Sequence, residues 1–583
     1  MNIINKEYTS YHICYDKDAS ECVRYAAGEL QKYLYQATKC LIPLFSSKCA
    51  RRGKEIHIGS CRGNDYLSYC EGLSKEGFVV KALDNGDIAF ISKSDRGILY
   101  SVYYFLEKVI NLNYLDSNFY VFDEKNRIDI DGDIRHDLPF EYRECYFSDS
   151  FKESFASHNL LNSNLAKLGT HVGGKTKWFN CHHSFSDLIN PDEYFDTHPE
   201  YFSEIDGKRV KVHTELCLSN PDVFNLCLKR VKEWIKNNPE CKVFSVAQDE
   251  WMGHWIRMAC ECEKCKAFDE AHGSQSASII NFVNKIAEAL EDKYPDILIH
   301  TFAYQYSRKP PIGLKVHKNV IVRLTNIECS WNESIEEGAV RDPNGRNASF
   351  LSDLEGWSKL TNRLYIWDYA VNFRNYLLPF PCLRSMAKNI NLYKKIGVKG
   401  LLMQGNFSAG GHGYLDELKS FISAKMMTGD YKLDDLINYF AKHYYGKASS
   451  EVIKYINLFE DNIKDKTLWL YDDADSDLFS DEVVNKGRFL INKALELVKD
   501  EKEEIKNHVE LLNLSQEYLE IVRMPLDAEG RNNRIDEFNI MIRKHGITEL
   551  FERTNLDYSI EVMKNSRYAK ARDNWYSLYY IMK

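Results

Sequence analysis

Between about residues 136 and 430, short apolar runs that favour strands alternate with stretches of helical periodicity, and this alternation constrains the fold most. The strand-like runs lie at residues 144–148, 170–171, 215–218, 243–246, 297–304, 320–324, 364–368 and 400–404. The clearest intervening helices are at 279–290 and 384–395. Apolar strands that alternate with helices are typical of a parallel sheet covered by helices. About eight such units predict a (β/α)8 TIM barrel.

The flanking segments predict two further domains, because 583 residues exceed what one hydrophobic core supports. Residues 1–135 predict a small α/β domain with helices at 18–37 and 95–107 and strands at 55–59, 77–83 and 87–92. Asn85-Gly86 joins the last two strands, and Asn-Gly favours the tight turn of a hairpin. Residues 431–583 predict a helical domain, with apolar periodicity at 483–499 and 501–522. The expected class is therefore α/β, with the barrel at 136–430 between these two domains.

Composition narrows the classes of partner. The net charge is −9 and no Lys/Arg-rich run occurs, which argues against a nucleic-acid partner. No segment approaches the roughly 18 uninterrupted apolar residues of a membrane span, so no membrane partner is expected. The N-terminus lacks a basic stretch followed by an apolar run, and 16 scattered cysteines suit reduced thiols. We therefore expect a cytoplasmic protein; the sequence does not predict its oligomeric state.

The run at 243–246 leads directly into Gln248, Asp249, Glu250 and Trp251. In a barrel of this kind the carboxyl ends of the strands carry the chemistry. Two adjacent carboxylates at such an end push their pKa values apart, which lets one act as an acid while the other stays charged. The alternative interpretation is a polar strand end whose carboxylates cap the next helix.

The later strand ends carry acids, amides and aromatic rings, which together suit a carbohydrate site. The carboxylates and amides hydrogen-bond hydroxyl groups, and the rings stack on sugars. Two of the acids have structural alternatives, since Asp368 could pair with Arg323 and Glu328 could be a solvated loop residue. The candidate substrate-binding residues, with His182 from the 180–187 segment, are His182, Trp251, Tyr304, Glu328, Trp367, Asp368, Tyr369 and Gln404.

Two mechanisms fit these residues. In the first, Glu250 protonates the leaving oxygen while a distant carboxylate, Glu328 or Asp368, acts as nucleophile or base. In the second, Glu250 is still the acid, but the nucleophile is the substrate's own 2-acetamido carbonyl and Asp249 orients that group. An adjacent Asp-Glu pair favours the second mechanism, which implies an N-acetylhexosamine at the cleaved position. Neither mechanism needs a cofactor.

Cysteine spacing predicts one metal site. Cys260, Cys262 and Cys265 have the spacing of a zinc knuckle, but a tetrahedral zinc needs four ligands, and His254 is the candidate fourth. Such a zinc would be structural and would hold the loop behind the catalytic strand. The alternative is three reduced cysteines that line a loop. His182 and His183 are likewise either zinc ligands, sugar contacts or packed loop residues.

Several segments together resemble the domain-of-unknown-function family 4838, part of which is classified as glycoside hydrolase family 163. The matching segments are His182-His183-Ser-Phe185, His198-Pro-Glu-Tyr-Phe202, Asp206-Gly-Lys-Arg209, Leu216-Cys-Leu-Ser-Asn-Pro221, Ser245-Val-Ala-Gln-Asp-Glu-Trp251 with its Cys-x-Cys-x-x-Cys tail, Trp367-Asp-Tyr369 and Pro379-Phe-Pro381. The N-terminal block, through its Asp95-Arg-Gly segment, resembles the domain that precedes the barrel in glycoside hydrolase families 20 and 67.

The resemblance implies an endo-β-N-acetylglucosaminidase that cuts the chitobiose core of complex N-glycans with retention of configuration. Glu250 matches the acid/base position and Asp249 the position that orients the acetamido group. Our leading hypothesis is therefore a retaining β-N-acetylglucosaminidase with an oligosaccharide substrate. The alternatives are an α-glucuronidase-like glycosidase that uses two enzyme carboxylates, and a non-catalytic glycan-binding barrel.

Overall fold

The computed structural model describes residues 1–211, 215–250, 259–407, 410, 412–551 and 554–566. The chain divides into two compact units, residues 1–175 with 415–446 and residues 176–414 with 447–583. This is a division by spatial packing. The three sequence domains at 1–135, 136–430 and 431–583 stay a prediction.

The first segment, residues 1–175, is a mixed α/β structure. Its helices are α1 (Glu21–Thr38), α2 (Asp95–Ile110) and α3 (Glu153–His158). Its strands are β1 (Asn2–Asn5), β2 (Tyr11–Tyr15), β3 (Leu44–Ser46), β4 (Lys54–Ile58), β5 (Phe78–Ala82), β6 (Ile88–Ser92), β7 (Asn113–Tyr114), β8 (Tyr120–Val121), β9 (Arg127–Asp129), β10 (Ile134–His136) and β11 (Tyr142–Cys145). The main sheet has six strands in the order β10-β5-β6-β4-β2-β3.

The helices and strands predicted for residues 1–135 are confirmed. Ser20 and Ser94 precede α1 and α2, and their side chains accept hydrogen bonds from first-turn amides, as helix N-caps do. Strands β5 and β6 pair antiparallel across the Asn85-Gly86 turn, where Gly86 has a positive φ. Helices α1 and α2 bury one apolar face each, which explains their position against the sheet.

Residues 176–414 contain six strands of a curled, parallel half-barrel sheet. These six strands run in the order β19-β18-β17-β16-β15-β12. The strands are β12 (Trp178–Phe179), β13 (Glu204–Ile205), β14 (Lys208–Arg209), β15 (Val243–Ser245), β16 (Leu298–Ala303), β17 (Val320–Thr325), β18 (Leu364–Tyr369) and β19 (Gly400–Gln404), with β13 and β14 forming a separate hairpin. The helices are α4 (Phe185–Leu188), α5 (Pro191–Tyr194), α6 (Pro221–Asn237), α7 (Glu263–Ala271), α8 (Ser276–Glu291), α9 (Ile335–Arg341), α10 (Arg346–Leu360) and α11 (Leu383–Ile396).

The regular elements in the remainder of the described chain are helices, and the helical periodicity predicted at 483–499 and 501–522 is confirmed by helices at Asp481–Val498 and Glu503–Arg523. Helices α12 (Asp416–Thr428) and α13 (Leu433–Tyr444) belong to the first unit. The second unit ends with α14 (Ser449–Asn462), α15 (Asp481–Val498), α16 (Glu503–Arg523), α17 (Arg531–Lys544) and α18 (Leu556–Asn565). None of the helices in the described ranges has the length and apolar character needed to cross a membrane.

Two of the eight predicted barrel strands are wrong, so the described residues form a half-barrel and not a closed (β/α)8 barrel. Residues 170–171 lie in a 3-10 turn that ends at Gly173, which adopts a positive φ. The strand that takes the place of the one predicted at 170–171 is β12, which is only two residues long. At 215–218 only Leu216 forms an isolated bridge, to Phe202, and its apolar neighbours are buried by loop packing.

Candidate active site

The carboxylate pair follows β15, as the sequence predicts. Strand β15 pairs parallel with β16, and the amide of Val246 continues this ladder by donating to the carbonyl of His300 at 2.8 Å. Beyond Val246 the backbone leaves the sheet, which brings Gln248, Asp249 and Glu250 to the carboxyl end of the strand. Trp251, a predicted sugar contact, lies outside the described residues.

Among the described residues, two side chains contact Glu250, which remains open to solvent. The phenol of Tyr304, directly after β16, donates to Oε1 of Glu250 at 2.5 Å. Nε2 of His183 lies 3.7 Å from Oε2, and one third of the Glu250 side chain is exposed. Nδ1 of His183 lies 2.5 Å from the carbonyl of Gln248. Because a carbonyl only accepts, Nδ1 carries the proton and Nε2 faces the carboxylate.

Asp249 has a different environment, since it is only 6% exposed. Its Oδ2 accepts from the backbone amide of Ser186 at 2.8 Å, and its own amide donates to Oε2 of Glu215 at 3.1 Å. Burial raises the pKa of Asp249 above its ordinary value. The pKa of Glu215 is raised well above its ordinary value by burial and by the nearby charge of Asp249. One carboxylate of the pair is therefore buried and the other solvent-accessible.

Polar contacts beneath the pair connect β15 to β16. Nε2 of Gln248 donates to Oγ of Ser307 at 2.5 Å. Oγ of Ser245 and Nδ1 of His300 are hydrogen-bonded at 2.8 Å. All four of these side chains are buried. Buried hydrogen bonds of this kind hold the strand end in one geometry, which a positioned acid requires.

Aromatic rings lie beside the pair. The ring of Trp367 on β18 is 6.0 Å from that of Phe302 and 6.1 Å from that of His182. The guanidinium of Arg323 lies 5.5 Å from the Trp367 ring, within the range of a cation–π contact. His182 is exposed, whereas Trp367 is half-buried. The predicted contacts His182 and Trp367 are thus brought together.

Asp368 is buried and saturated with hydrogen bonds. Its Oδ1 accepts from Nδ2 of Asn326 at 2.7 Å, from the amide of Tyr369 at 2.7 Å and from the indole of Trp331 at 3.3 Å. Its Oδ2 accepts from the phenol of Tyr393 at 2.8 Å. Burial raises the pKa of Asp368 nonetheless. These four donors hold Asp368 in place, which is a structural arrangement. The sequence analysis had considered Arg323 as the partner in such an arrangement.

Glu328 also has a partner within the protein. Its Oε2 lies 3.2 Å from Nη1 of Arg308, whose Nε is 2.8 Å from Oδ2 of Asp353. The three side chains are each less than one fifth exposed. Glu328 is therefore one end of a largely buried ion-pair chain and not a solvated loop residue.

Tyr369 and Gln404 end the two strands β18 and β19, where they face each other in register. Both are buried, and the side-chain Nε2 of Gln404 donates to the carbonyl of Gly405 at 3.1 Å. The pKa of Tyr369 is raised well above its ordinary value, mainly by burial and next by the charge of Glu250.

Three residues at the pair were not among the predicted site residues, namely His183, Ser186 and Glu215. The His182-His183 doublet was noticed, but no spacing rule indicates which histidine contacts the carboxylate. Ser186 acts through its backbone amide, which has no sequence signal. Glu215 was assigned to a strand, although it lies in a loop.

Comparison with solved structures gives the class of fold. A family 115 4-O-methyl-α-glucuronidase with specificity for decorated arabinogalactans is similar with a TM-score of 0.54 at 10% identity, over 95% of this chain and 81% of that one. A family 89 glycoside hydrolase variant from Clostridium perfringens, in complex with GlcNAc-α-1,4-galactose, is similar with a TM-score of 0.50 at 10% identity, over 94% of this chain and 70% of that one. The fold is thus one that glycoside hydrolases use.

The family follows from the sequence model. Residues 114–457 match the family described as Domain of unknown function (DUF4838), which covers more than half of the chain. The protein belongs to this family. No curated protein matches the chain.

Proposed function

We propose that the protein is a retaining glycoside hydrolase in which Glu250 is the general acid/base and Asp249 its partner. One observation carries the proposal: two adjacent carboxylates at one strand end have opposite environments, Glu250 one third exposed and Asp249 6% exposed. The exposed carboxyl group can reach a leaving oxygen and exchange protons with solvent, whereas the buried one is held in a fixed position beside it. The fold similarity to glycoside hydrolases supports the same class.

Glu250 is the solvent-accessible carboxyl group of the pair, and its contacts stabilise the carboxylate form. In the first step it gives its proton to the leaving oxygen, and in the second it takes a proton from the attacking water. The phenol of Tyr304, 2.5 Å away, stabilises the carboxylate that forms after the first transfer. Nε2 of His183 on the other oxygen stabilises the same charge when the imidazole is protonated.

The geometry supports the substrate's 2-acetamido carbonyl as nucleophile. A second enzyme carboxylate must be free to attack the sugar, but Asp368 is bound by four donors and Glu328 is paired with Arg308. Asp249 is adjacent to the acid and held by the amide of Ser186 at 2.8 Å. A carboxylate accepts about four hydrogen bonds, so Asp249 retains capacity for an acetamido N–H.

The substrate class follows from this mechanism. Attack by the acetamido carbonyl requires an N-acetylhexosamine at the cleaved position with a β linkage, since the nucleophile must approach from the face opposite the leaving group. The aromatic side chains of Trp367 and His182 would stack on sugar rings. The resemblance of the Gln248-Asp249-Glu250 segment to endo-β-N-acetylglucosaminidases favours an N-glycan-type oligosaccharide.

Substituted substrates test the mechanism. Aryl β-glycosides of N-acetylglucosamine and of its mono-, di- and trifluoroacetyl analogues differ only in the nucleophilicity of the amide carbonyl. We expect kcat/KM to fall progressively with each fluorine, and a thiazoline analogue of N-acetylglucosamine to inhibit competitively. A flat series without thiazoline inhibition would contradict acetamido participation. Activity on acidic sugars that lack an acetamido group would then favour the glucuronidase-like mechanism.

A further inference from the structure

Four cysteines from two separate segments meet in one buried cluster. Cys217 is the residue after Leu216. Cys260 and Cys262 directly precede α7, and Cys265 lies in its first turn. Their exposed fractions are 3%, 7%, 9% and 2%. The four Sγ atoms all lie within 4.8 Å of one another. We propose that these four thiolates bind one structural zinc ion.

The distances suit a tetrahedron. A zinc ion with Zn–S bonds of about 2.3 Å separates its sulfur ligands by roughly 3.8 Å. Sγ of Cys217 and Sγ of Cys262 are 3.7 Å apart. A disulfide would require about 2.05 Å, and a four-iron cluster would require a much wider cage of sulfur atoms. The arrangement matches a single metal ion with four cysteine ligands.

The surroundings stabilise thiolates. The backbone amide of Glu204 donates to Sγ of Cys260 at 3.4 Å, and Nη1 of Arg209 donates to the same sulfur at 3.6 Å. Oγ of Ser219 lies 3.2 Å from Sγ of Cys265. Cys262 and Cys265 are also at the N-terminus of α7, where the helix dipole favours negative charge. Donors and a cation around the sulfurs are typical of the outer shell of a zinc–thiolate site.

The fourth ligand differs from the sequence interpretation, which assigned it to His254. His254 lies outside the described residues, whereas Cys217 completes the set from 43 residues before Cys260. No local spacing connects Cys217 to the Cys-x-Cys-x-x-Cys motif. Only the fold brings them together.

A zinc at this position would support the carboxylate pair indirectly. Cys217 lies two residues after Glu215, whose carboxylate accepts from the amide of Asp249 at 3.1 Å. Cys260 lies ten residues after Glu250 in the sequence. The ion would therefore fix two chain segments that border the candidate active site, without contact with the substrate.

Metal analysis of the purified full-length protein is the direct test. We expect about one zinc per chain by mass spectrometry of the elements. Replacement of the zinc with cobalt should give the intense visible bands of tetrahedral four-thiolate coordination, a readout that needs no variant. Iron in place of zinc, or metal-free protein whose cluster thiols all react with a thiol reagent on unfolding, would overturn the proposal.

Three variants identify the fourth ligand. Cys217→Ala should lose at least nine tenths of the bound zinc relative to wild type, whereas His254→Ala should retain it. Cys227→Ala is the matched control, because Cys227 is also fully buried but lies on α6 outside the cluster. Loss of zinc from His254→Ala together with its retention in Cys217→Ala would contradict the assignment. If Cys217→Ala does not fold, the cobalt spectrum of the wild type decides between four and three thiolates.

Discussion

The phenol of Tyr304 donates a hydrogen bond to Oε1 of Glu250 at 2.5 Å, and it reaches this position because Tyr304 follows directly after β16, the neighbour of the strand that leads into Glu250. Burial and the charge of Glu250 raise the pKa of Tyr304 well above its ordinary value, so the phenol keeps its proton and remains a donor. The relationship makes Tyr304 the residue that most directly governs the acid/base group.

Tyr304→Phe removes this hydrogen bond and leaves the ring in place. Hydrogen bonds to charged groups contribute about 1.5–3 kcal/mol, so we expect kcat/KM to fall roughly 10- to 100-fold. Tyr393→Phe is the matched control, since it removes a phenol that donates to Asp368 at 2.8 Å. The control should lower the melting temperature and keep activity within about threefold. Equal loss of activity in both variants would contradict the assigned role of Tyr304.

Glu215 is expected to position Asp249 through an accepted hydrogen bond. Glu215→Gln keeps an acceptor oxygen, whereas Glu215→Met keeps the volume and removes the acceptor. We expect Gln to retain most of the activity and Met to lower kcat about tenfold or more, since a buried amide without its acceptor costs roughly 1–3 kcal/mol. Steady-state kinetics on folded protein, checked by circular dichroism, measures both. Indistinguishable variants would show that the contact does not matter.

Glu328→Gln separates the two mechanisms. If Glu328 only pairs with Arg308, as the 3.2 Å contact indicates, the variant should keep kcat within about fivefold and lose some thermal stability. If Glu328 were the nucleophile, turnover should fall by roughly a thousandfold or more. Asp353→Asn, which alters the other end of the same ion-pair chain, is the control for stability effects.

Stability of the first unit should depend on pH through Glu417. Burial, and next the charge of Asp149, raise the pKa of Glu417 from 4.5 to about 8. The folded state then binds a proton that the unfolded state has released, so stability is fully present below pH 4.5 and is lost as the pH rises toward 8. Asp116, whose pKa burial raises to about 6, acts in the same direction.

Calorimetry on Glu417→Gln checks this dependence. At pH 8.5 the variant should be more stable than wild type by on the order of 1–4 kcal/mol, and near pH 5 the two should agree closely. Glu124→Gln changes an exposed carboxylate of the same unit and should leave the profile unchanged. A wild-type melting temperature that stays constant between pH 5 and 8.5 would contradict the raised pKa.

The sequence predicted most strands of the half-barrel because strands β15 to β19 are apolar runs bounded by polar residues, a pattern set by burial on both faces. Strand β12 was missed because two residues, Trp178 and Phe179, are too few to show any period. The apolar run at 215–218 correctly indicated that Leu216 and Cys217 are buried. The reason for the burial is the cysteine cluster and not a strand.

The sequence singled out candidate site residues where they end a strand. Asp249 and Glu250 were selected because they are neighbours at a strand end, and Tyr304 because it follows the next strand. Glu215 and Cys217 were missed as participants, since their contacts depend on how a loop packs, and no local pattern encodes that packing.

The most direct test of the account is mass spectrometry of complex and high-mannose N-glycans after incubation with wild type and with Glu250→Gln, with Glu233→Gln as a surface control. We predict that wild type and Glu233→Gln release the reducing-end N-acetylglucosamine from at least one glycan class and that Glu250→Gln does not. Unchanged turnover in Glu250→Gln would contradict the assignment of Glu250 as the acid/base. An intact panel with wild type would contradict the proposed substrate class.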